Sequence, residues 1–260
     1  MKTLITHIGN LYTPDSRGPY GKITHHKNIA LLVADGKINK IYNQPNPEEV
    51  DAAIPRIDAR GMTMIPGFVD PHTHPVFWQT REAEFQMRVQ GKSYEEIAAA
   101  GGGIRNSARN FRNAGKSDIK EVTRKRIRTF LEYGTTTIEA KSGYGLSLDS
   151  ELMALEIIDE LNKEQPLEMV PTFLGAHEVP DNYRDNRPAY IQLVIEEMIL
   201  EVSRRKLAKY CDVFCETGVF SVEESRQILL AGKRNGLQIR MHADELSSSG
   251  GAELAADLAA

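Results

Sequence analysis

Cysteine, tryptophan and long apolar runs are all scarce in this sequence. Its 260 residues include two cysteines and one tryptophan, and the formal net charge is −4. Two cysteines cannot build a disulfide framework, so we expect a cytoplasmic location. No apolar run approaches the roughly 20 residues that cross a bilayer, and Met1 is not followed by the apolar stretch of a secretory signal. Because the net charge is slightly negative, the sequence does not indicate a large positively charged surface. We therefore expect neither a membrane nor nucleic acid as a partner.

The first sixty residues have the pattern of β-strands. Residues 28–34 and 37–42 flank Asp35-Gly36, a pair that readily takes positive φ in a tight hairpin turn. A further turn cluster ends at Gly61, after which the pattern changes. The sequence therefore predicts a small β-rich domain over residues 1–61, ahead of a main domain over residues 62–260.

Short apolar runs alternate with longer amphipathic stretches after Gly61, which is typical of β/α units with a parallel sheet. Five strand-like runs stand out: residues 64–69, 135–140, 167–174, 212–215 and 237–241. Between them, Ser221-Val222-Glu223-Glu224 has the form of a capping box and predicts a helix that ends at Asn235-Gly236. Another amphipathic helix carries Ile119 and Ile127 on its apolar face.

Polar residues that could take part in catalysis or bind a ligand follow each strand-like run. Among them are the segments 70–74, 141–144, 177–178, 216–217 and 242–245. The loops after the strands build the active site of a (β/α)₈ TIM barrel, which makes a barrel the leading fold; a doubly wound α/β sheet is the alternative. The sequence supplies about five of the eight β/α units of a barrel, so we expect an incomplete barrel, the N-terminal portion of a longer one.

Three histidines at strand ends form the sharpest chemical signal. His72 and His74 stand at positions i and i+2, which point the same way on a strand, and His242 follows another strand. Neutral imidazole is a common metal ligand, and catalytic sites often have three protein ligands and an open position for water. A metal there would acidify bound water, and Glu245 is a candidate for proton transfer. A carboxylate that favours a helix N-terminus is the alternative interpretation of Glu245, and Asp244 has the same alternative.

Several segments together resemble the imidazolonepropionase family of the amidohydrolase superfamily. They are residues 66–74, 93–97 with 101–104, 133–137, 141–146, 172–177, 216–220 and 242–245, in order along nearly the whole chain. The His-x-His segment marks the superfamily only. Lys141-Ser142-Gly143-Tyr144-Gly145 together with Gly175-Ala176-His177 is much more specific to the family.

The resemblance implies hydrolytic opening of the ring of 4-imidazolone-5-propanoate to N-formimidoyl-L-glutamate, in histidine degradation. It implies one zinc or iron ion held by His72, His74 and His242, and a cytoplasmic homodimer. It also implies that Arg81 takes the carboxylate tail of a small-molecule substrate, with Tyr94, Tyr144 and His177 lining the ring. Glu245 would contact the substrate and assist proton transfer. Considered alone, Arg81, Tyr94 and Tyr144 would be read as surface or packing residues.

The sequence departs from the family pattern in two respects. The family has a further metal-binding Asp after the eighth barrel strand, and a C-terminal part of its small β-domain, neither of which this chain contains. Pro75 and Trp78-Gln79 replace the aliphatic residue and glycine-rich stretch expected after the histidine pair. A related cyclic amidohydrolase or deaminase for another nitrogen heterocycle is therefore one alternative. An inactive fragment that lacks the C-terminal Asp is the other.

Overall fold

The computed structural model describes residues 1–14, 21–93, 96–97 and 100–260. They form two compact units, Met1–Gly67 and Phe68–Ala260. The short strand Thr63–Met64 pairs with the first strand of the chain, so it lies in the first unit although it follows Gly61. The domain boundary after Gly61 stays a prediction.

The first unit is a five-stranded sheet. Its strands are β1 (Lys2–Pro14), β2 (Ile23–Ala34), β3 (Lys37–Tyr42), β4 (Arg56–Asp58) and β5 (Thr63–Met64). The order is β3-β2-β1-β4, with β5 also on β1; β1, β2 and β3 are antiparallel neighbours, whereas β4 and β5 run parallel to β1. Asp35 and Gly36 join β2 to β3 with φ of 50° and 74°. Two positive φ values are what a tight two-residue hairpin needs, so the predicted turn is confirmed.

The second unit alternates strands with helices. Its strands are β6 (Phe68–Thr73), β7 (Thr135–Lys141), β8 (Glu168–Ala176), β9 (Tyr210–Cys215), β10 (Gln238–Ile239) and β11 (His242–Ala243). Its helices include α1 (Glu82–Val89), α2 (Gly103–Arg112), α3 (Lys116–Glu132), α4 (Leu148–Glu164), α5 (Arg187–Leu193), α6 (Ile199–Arg205), α7 (Val222–Arg234) and α8 (Gly251–Leu258). A 3₁₀ turn (Asp181–Tyr183) precedes α5, and a π-helical stretch (Val194–Met198) joins α5 to α6.

The sheet of the second unit is parallel and follows chain order. The order is β10-β9-β8-β7-β6, and β11 also pairs with β9. In a doubly wound sheet, the chain adds strands on one side of the first strand and then on its other side. In a barrel, each new strand lies next to the preceding one. The fold is therefore an incomplete (β/α) barrel, as predicted, and the doubly wound alternative is wrong.

The first strand-like run, residues 64–69, is not one strand. Residues 65–67 lie between β5 and β6 and belong to neither. Pro66 has no N–H to donate to a ladder, which accounts for the break. The strand that reaches the site is β6, and it continues through His72 to Thr73, four residues beyond the predicted end.

The predicted helix signals are confirmed. Ser221 and Glu224 form both hydrogen bonds of a capping box at the start of α7, and Asn235 ends that helix. Ile119 and Ile127 on α3 are buried in the core of the second unit, which satisfies the apolar face of that helix. In the part of the chain that the structure describes, every helix is too short or too polar to cross a membrane.

Candidate metal centre and substrate cavity

The structure brings together the three histidines that the sequence analysis singled out. His72 lies near the end of β6, His74 follows that strand, and His242 begins β11. Each offers one ring nitrogen, and these three atoms lie within 4.8 Å of one another. The Nε2 atoms of His74 and His242 are 3.2 Å apart. Residues separated by 168 positions meet because parallel strands present their carboxyl ends at one rim.

Burial keeps two rings of this cluster in the protonation state that binds a metal ion. Burial lowers the pKa of His74 to about 2, helped by His177 and His242 beside it, and burial also lowers the pKa of His72. Neutral imidazole is the form that binds metal. Among the described residues, the buried Nδ1 atom of His74 has no hydrogen-bond partner. The rings of His72 and His74, which burial keeps neutral, and the converging Nε2 atom of His242 therefore fit a divalent metal with nitrogen ligands.

Four charged side chains lie close together beside the histidines, and three of them, Lys141, Glu139 and Asp212, are buried. The Lys141 ammonium is 2.6 Å from Asp212 Oδ2 and 2.8 Å from Glu139 Oε2. Arg240 Nε lies 3.2 Å from Glu139 Oε1. Burial alone would raise the pKa of Asp212, but His242 and Lys141 hold that pKa well below its usual range. Asp212 therefore stays ionised beside His242, with its Oδ2 atom 3.0 Å from the Nδ1 atom of that ring.

A cavity of about 310 Å³ opens beside the histidine cluster. Besides the three histidines, its walls include the predicted substrate residues Arg81, Tyr144, His177 and Glu245. Arg81 directly precedes α1, and its guanidinium lies 3.6 Å from Glu84. Tyr94 lies outside the described residues. The cavity therefore combines imidazole nitrogens, the Arg81 guanidinium and aromatic rings in one space.

His177 and Tyr144 form an aromatic wall of this cavity. Their ring centroids are 5.3 Å apart, and the His177 ring stacks on His74 at 5.1 Å. Burial lowers the pKa of His177 to about 3 and raises the pKa of Tyr144. Both side chains are therefore uncharged near neutral pH, a suitable surface for a flat polar ring.

Two neighbouring acids after β11 have different roles. The Asp244 carboxylate accepts hydrogen bonds from the backbone N–H groups of Ser249 (2.7 Å), Gly251 (3.2 Å) and Ala252 (2.9 Å). It therefore caps the start of α8, the structural alternative considered above. Glu245 is exposed at the cavity wall instead.

Sequence reasoning missed other residues at the site. Arg88 on α1, Ile104 on α2 and Phe214 on β9 also line the cavity. The buried charges Glu139 and Asp212 were seen only as parts of strand-like runs. A charged residue inside an apolar strand pattern could have indicated them, since buried charges need partners. Strand-end Glu216 does not line the cavity; it accepts hydrogen bonds from the backbone N–H groups of Leu246 and Ser247.

Several known proteins with similar sequences share one name. The imidazolonepropionase of Desulfotalea psychrophila is 45% identical over 250 residues, covering 95% of this chain and 60% of that protein. The imidazolonepropionase of Solibacter usitatus is 53% identical over 204 residues, covering 78% of this chain and 49% of that protein. The chain thus spans about three-fifths or less of the length of these relatives. No protein-family model matches the sequence.

Solved structures agree on the fold. A 5-methylcytosine deaminase from Klebsiella pneumoniae superposes with a TM-score of 0.67 and 19% identity, covering all of this chain and 56% of that chain. A guanine deaminase from C. acetobutylicum gives a TM-score of 0.61 and 19% identity, covering 94% of this chain and 54% of that chain. At such identities the likeness concerns the fold alone. The sequence relatives confirm the resemblance: over most of its length, this chain is similar to imidazolonepropionases.

Proposed function

We propose that this chain carries the metal and substrate site of an imidazolonepropionase, which hydrolyses 4-imidazolone-5-propanoate to N-formimidoyl-L-glutamate. One observation carries the proposal: the convergence of three imidazoles on a cavity that also holds Arg81, Tyr144, His177 and Glu245. A ligand set alone would suit many metal hydrolases. The guanidinium of Arg81 and the aromatic wall favour a substrate that has a flat ring and an anionic tail.

One zinc or iron ion would be held by His72, His74 and His242. When bound, such an ion lowers the pKa of a water ligand and polarises a carbonyl group. Asp212 orients His242 from below, because one of its oxygens accepts the backbone N–H of His242 (3.2 Å) while the other faces the ring. A carboxylate behind a histidine ligand fixes the ring and raises its basicity.

Arg81 would bind the propanoate tail through two parallel hydrogen bonds from its guanidinium. Tyr144 and His177 would face the ring of the substrate, and Tyr94 is a further candidate from the family resemblance. A neutral His177 can accept a hydrogen bond from a ring N–H without adding charge. These contacts would orient the ring carbonyl toward the three histidines.

Glu245 is the proposed proton carrier. Its carboxylate would accept a proton from the attacking water molecule and return it to the ring nitrogen that leaves as the C–N bond breaks. The water oxygen becomes part of the new carboxylate, so the atoms balance. The exposure of Glu245 at the cavity wall is compatible with this transfer, because the side chain needs freedom to reach both positions.

Hydrolysis by the purified chain, loaded with zinc or with iron, tests the proposal directly. We expect loss of the imidazolone absorbance with 4-imidazolone-5-propanoate, and at least about 100-fold slower turnover in His74→Ala. His26→Ala, in the N-terminal unit, is the matched control and should keep full activity. Turnover that survives His74→Ala would overturn the metal assignment.

A comparison of two compounds, with and without a carboxylate tail, tests the substrate assignment. Arg81→Gln should raise KM for 4-imidazolone-5-propanoate by about 100-fold, the loss of a charge-assisted pair, and leave an imidazolone without the carboxylate tail unaffected. An equal effect on both compounds would argue against Arg81 as the carboxylate ligand. Metal binding without any turnover would support the inactive-fragment alternative instead.

We also propose that the protein is a cytoplasmic homodimer. The family resemblance supports both statements, and the scarcity of cysteine agrees with the location. Light scattering on the purified protein at micromolar concentration measures its mass directly; the mass of one chain, 29.1 kDa, would contradict the dimer.

A further inference from the structure

The turn after β7 is held by a buried carboxylate that lies outside the cavity. Glu151, in the first turn of α4, is completely buried. Its two oxygens accept hydrogen bonds from the backbone N–H groups of Gly143 (3.0 Å), Gly145 (2.8 Å) and Leu146 (2.8 Å). Three N–H groups that no regular structure satisfies thus converge on one side chain.

Arg112 holds the same turn from its carbonyl side. Its Nε and Nη2 atoms donate to the backbone carbonyls of Gly145 and Leu146, each at 2.6 Å. Glycine readily takes the φ of 106° seen at Gly143, but the φ of 52° at Leu146 is unfavourable for an L-residue, so the turn needs support from outside. Glu151 and Arg112 therefore impose the conformation of residues 143–146.

That conformation reaches two cavity residues. Tyr144 is part of the turn and lines the cavity. The carbonyl of Gly143 lies 2.8 Å from Nδ1 of His177. A carbonyl only accepts hydrogen bonds, so Nδ1 must carry the proton, and Nε2 of a neutral ring is then an acceptor.

We propose that Glu151 is a positioning residue: through the turn at residues 143–146, it fixes the Nδ1–H tautomer of His177 and the place of Tyr144. Its effect on substrate binding rests on the proposed function, whereas its effect on His177 does not. The role follows from geometry, because one carboxylate orients both the carbonyl that selects the tautomer and the residue beside it.

Nitrogen NMR of the zinc-loaded chain, labelled with ¹⁵N-histidine, tests this directly. In the wild type, we expect separate His177 signals for a protonated Nδ1 and an unprotonated Nε2, assigned by their loss in His177→Gln. Glu151→Gln presents an NH₂ group to N–H donors, so the turn should loosen and the two His177 shifts should move toward each other. Asp149→Asn, in the same first helical turn, should leave the spectrum unchanged.

Glu151→Gln should also raise KM by about tenfold, in keeping with the loss of buried hydrogen bonds, with a smaller change in kcat and an unchanged zinc content. If this variant does not fold, Arg112→Lys, which removes the paired hydrogen bonds but keeps the charge, provides the same NMR comparison. A folded Glu151→Gln protein with wild-type His177 shifts would overturn the inference. Absence of turnover in the wild type would overturn only the proposed function, since the NMR comparison needs no substrate.

Discussion

The Nζ atom of Lys141 lies 2.6 Å from Oδ2 of Asp212, and both side chains are almost completely buried. This ion pair joins β7 to β9 directly under the histidine cluster. Asp212 in turn accepts the backbone N–H of His242, so the ion pair also holds the start of β11. A buried charge pair is stable only when its partners are well placed, and Glu139 supplies the second acceptor for the Lys141 ammonium.

Replacement of Lys141 by methionine should leave Asp212 buried without its cation, whereas Glu139 keeps Arg240 beside it. Removal of one partner from a buried pair costs about 3–5 kcal/mol, so we expect a loss of this size in the free energy of unfolding, measured in urea. Zinc affinity, measured by competition with a chelator, should fall by about 10–100-fold, because Asp212 no longer fixes His242. Lys163→Met removes an exposed ion pair with Asp159 and should change both quantities little. Wild-type zinc affinity in a folded Lys141→Met protein would contradict this account.

Acid should destabilise the metal-free protein through His177. Its folded-state pKa is about 3, because burial disfavours the charged ring, against about 6.5 when unfolded. The unfolded chain therefore binds a proton that the folded chain does not, and this contribution is fully present above pH 6.5 and is lost as the pH falls toward 3. We expect His177 to account for about 2 kcal/mol between pH 6.5 and pH 5.

Urea unfolding at several pH values, in the presence of a chelator, measures this dependence. His177→Gln removes the titrating ring, so its stability should fall less steeply over the same range. Equal slopes for wild type and His177→Gln would show that other groups carry the acid sensitivity.

The convergence of the three histidines could be predicted because it depends on topology. Once His72 and His242 are assigned to strand ends of a parallel sheet, a shared rim follows from the fold, whatever the details of packing. The hairpin at Asp35-Gly36 and the capping box at Ser221 were predictable for a different reason: each depends on local backbone chemistry over two to four residues.

The buried ion pair and hydrogen bonds that hold the site in place could not be predicted in the same way. Lys141 and Asp212 are 71 positions apart. Local sequence patterns do not predict which buried cation pairs with which carboxylate over such a separation. Glu151 resembles any acidic residue in the first turn of a helix, although its partners lie in the preceding turn. Asp244 and Glu245 are adjacent identical charges in the sequence, and only the structure shows that Asp244, with a positive φ of 54°, turns toward the backbone N–H groups of α8.

Gly143 should be intolerant of a side chain for two separable reasons. Its φ of 106° disfavours any L-residue, and an added Cβ would lie 2.9 Å from His177 Nδ1. Gly218 offers a matched control, since its φ is 84° but nothing lies within 4 Å of an added Cβ. Gly143→Ala should therefore lower the free energy of unfolding by about 1–3 kcal/mol more than Gly218→Ala does, because the control carries only the backbone strain. Equal losses in thermal unfolding would show that the close approach to His177 is unimportant.

Glu216 should control the loop that carries Glu245. Its buried carboxylate accepts the backbone N–H groups of Leu246 (2.8 Å) and Ser247 (3.2 Å) and the Ser247 hydroxyl. Burial would raise the pKa of Glu216, but these hydrogen bonds hold it at about 2, so the charge persists at any ordinary pH. Glu216→Gln keeps the size but removes the charge, and each charge-assisted hydrogen bond is worth about 1.5–3 kcal/mol.

The readout is amide hydrogen exchange at Leu246 and Ser247, which reports local opening of this loop. We expect exchange there to quicken by about tenfold or more in Glu216→Gln, since a loss of about 1.4 kcal/mol corresponds to one factor of ten. Glu223→Gln, on the exposed side of α7, is the control and should leave both amides unchanged. Because Glu245 directly precedes Leu246, the variant should also slow the proposed proton transfer. Unchanged exchange at both amides would instead mean that the capping of α8 by Asp244 alone holds the loop.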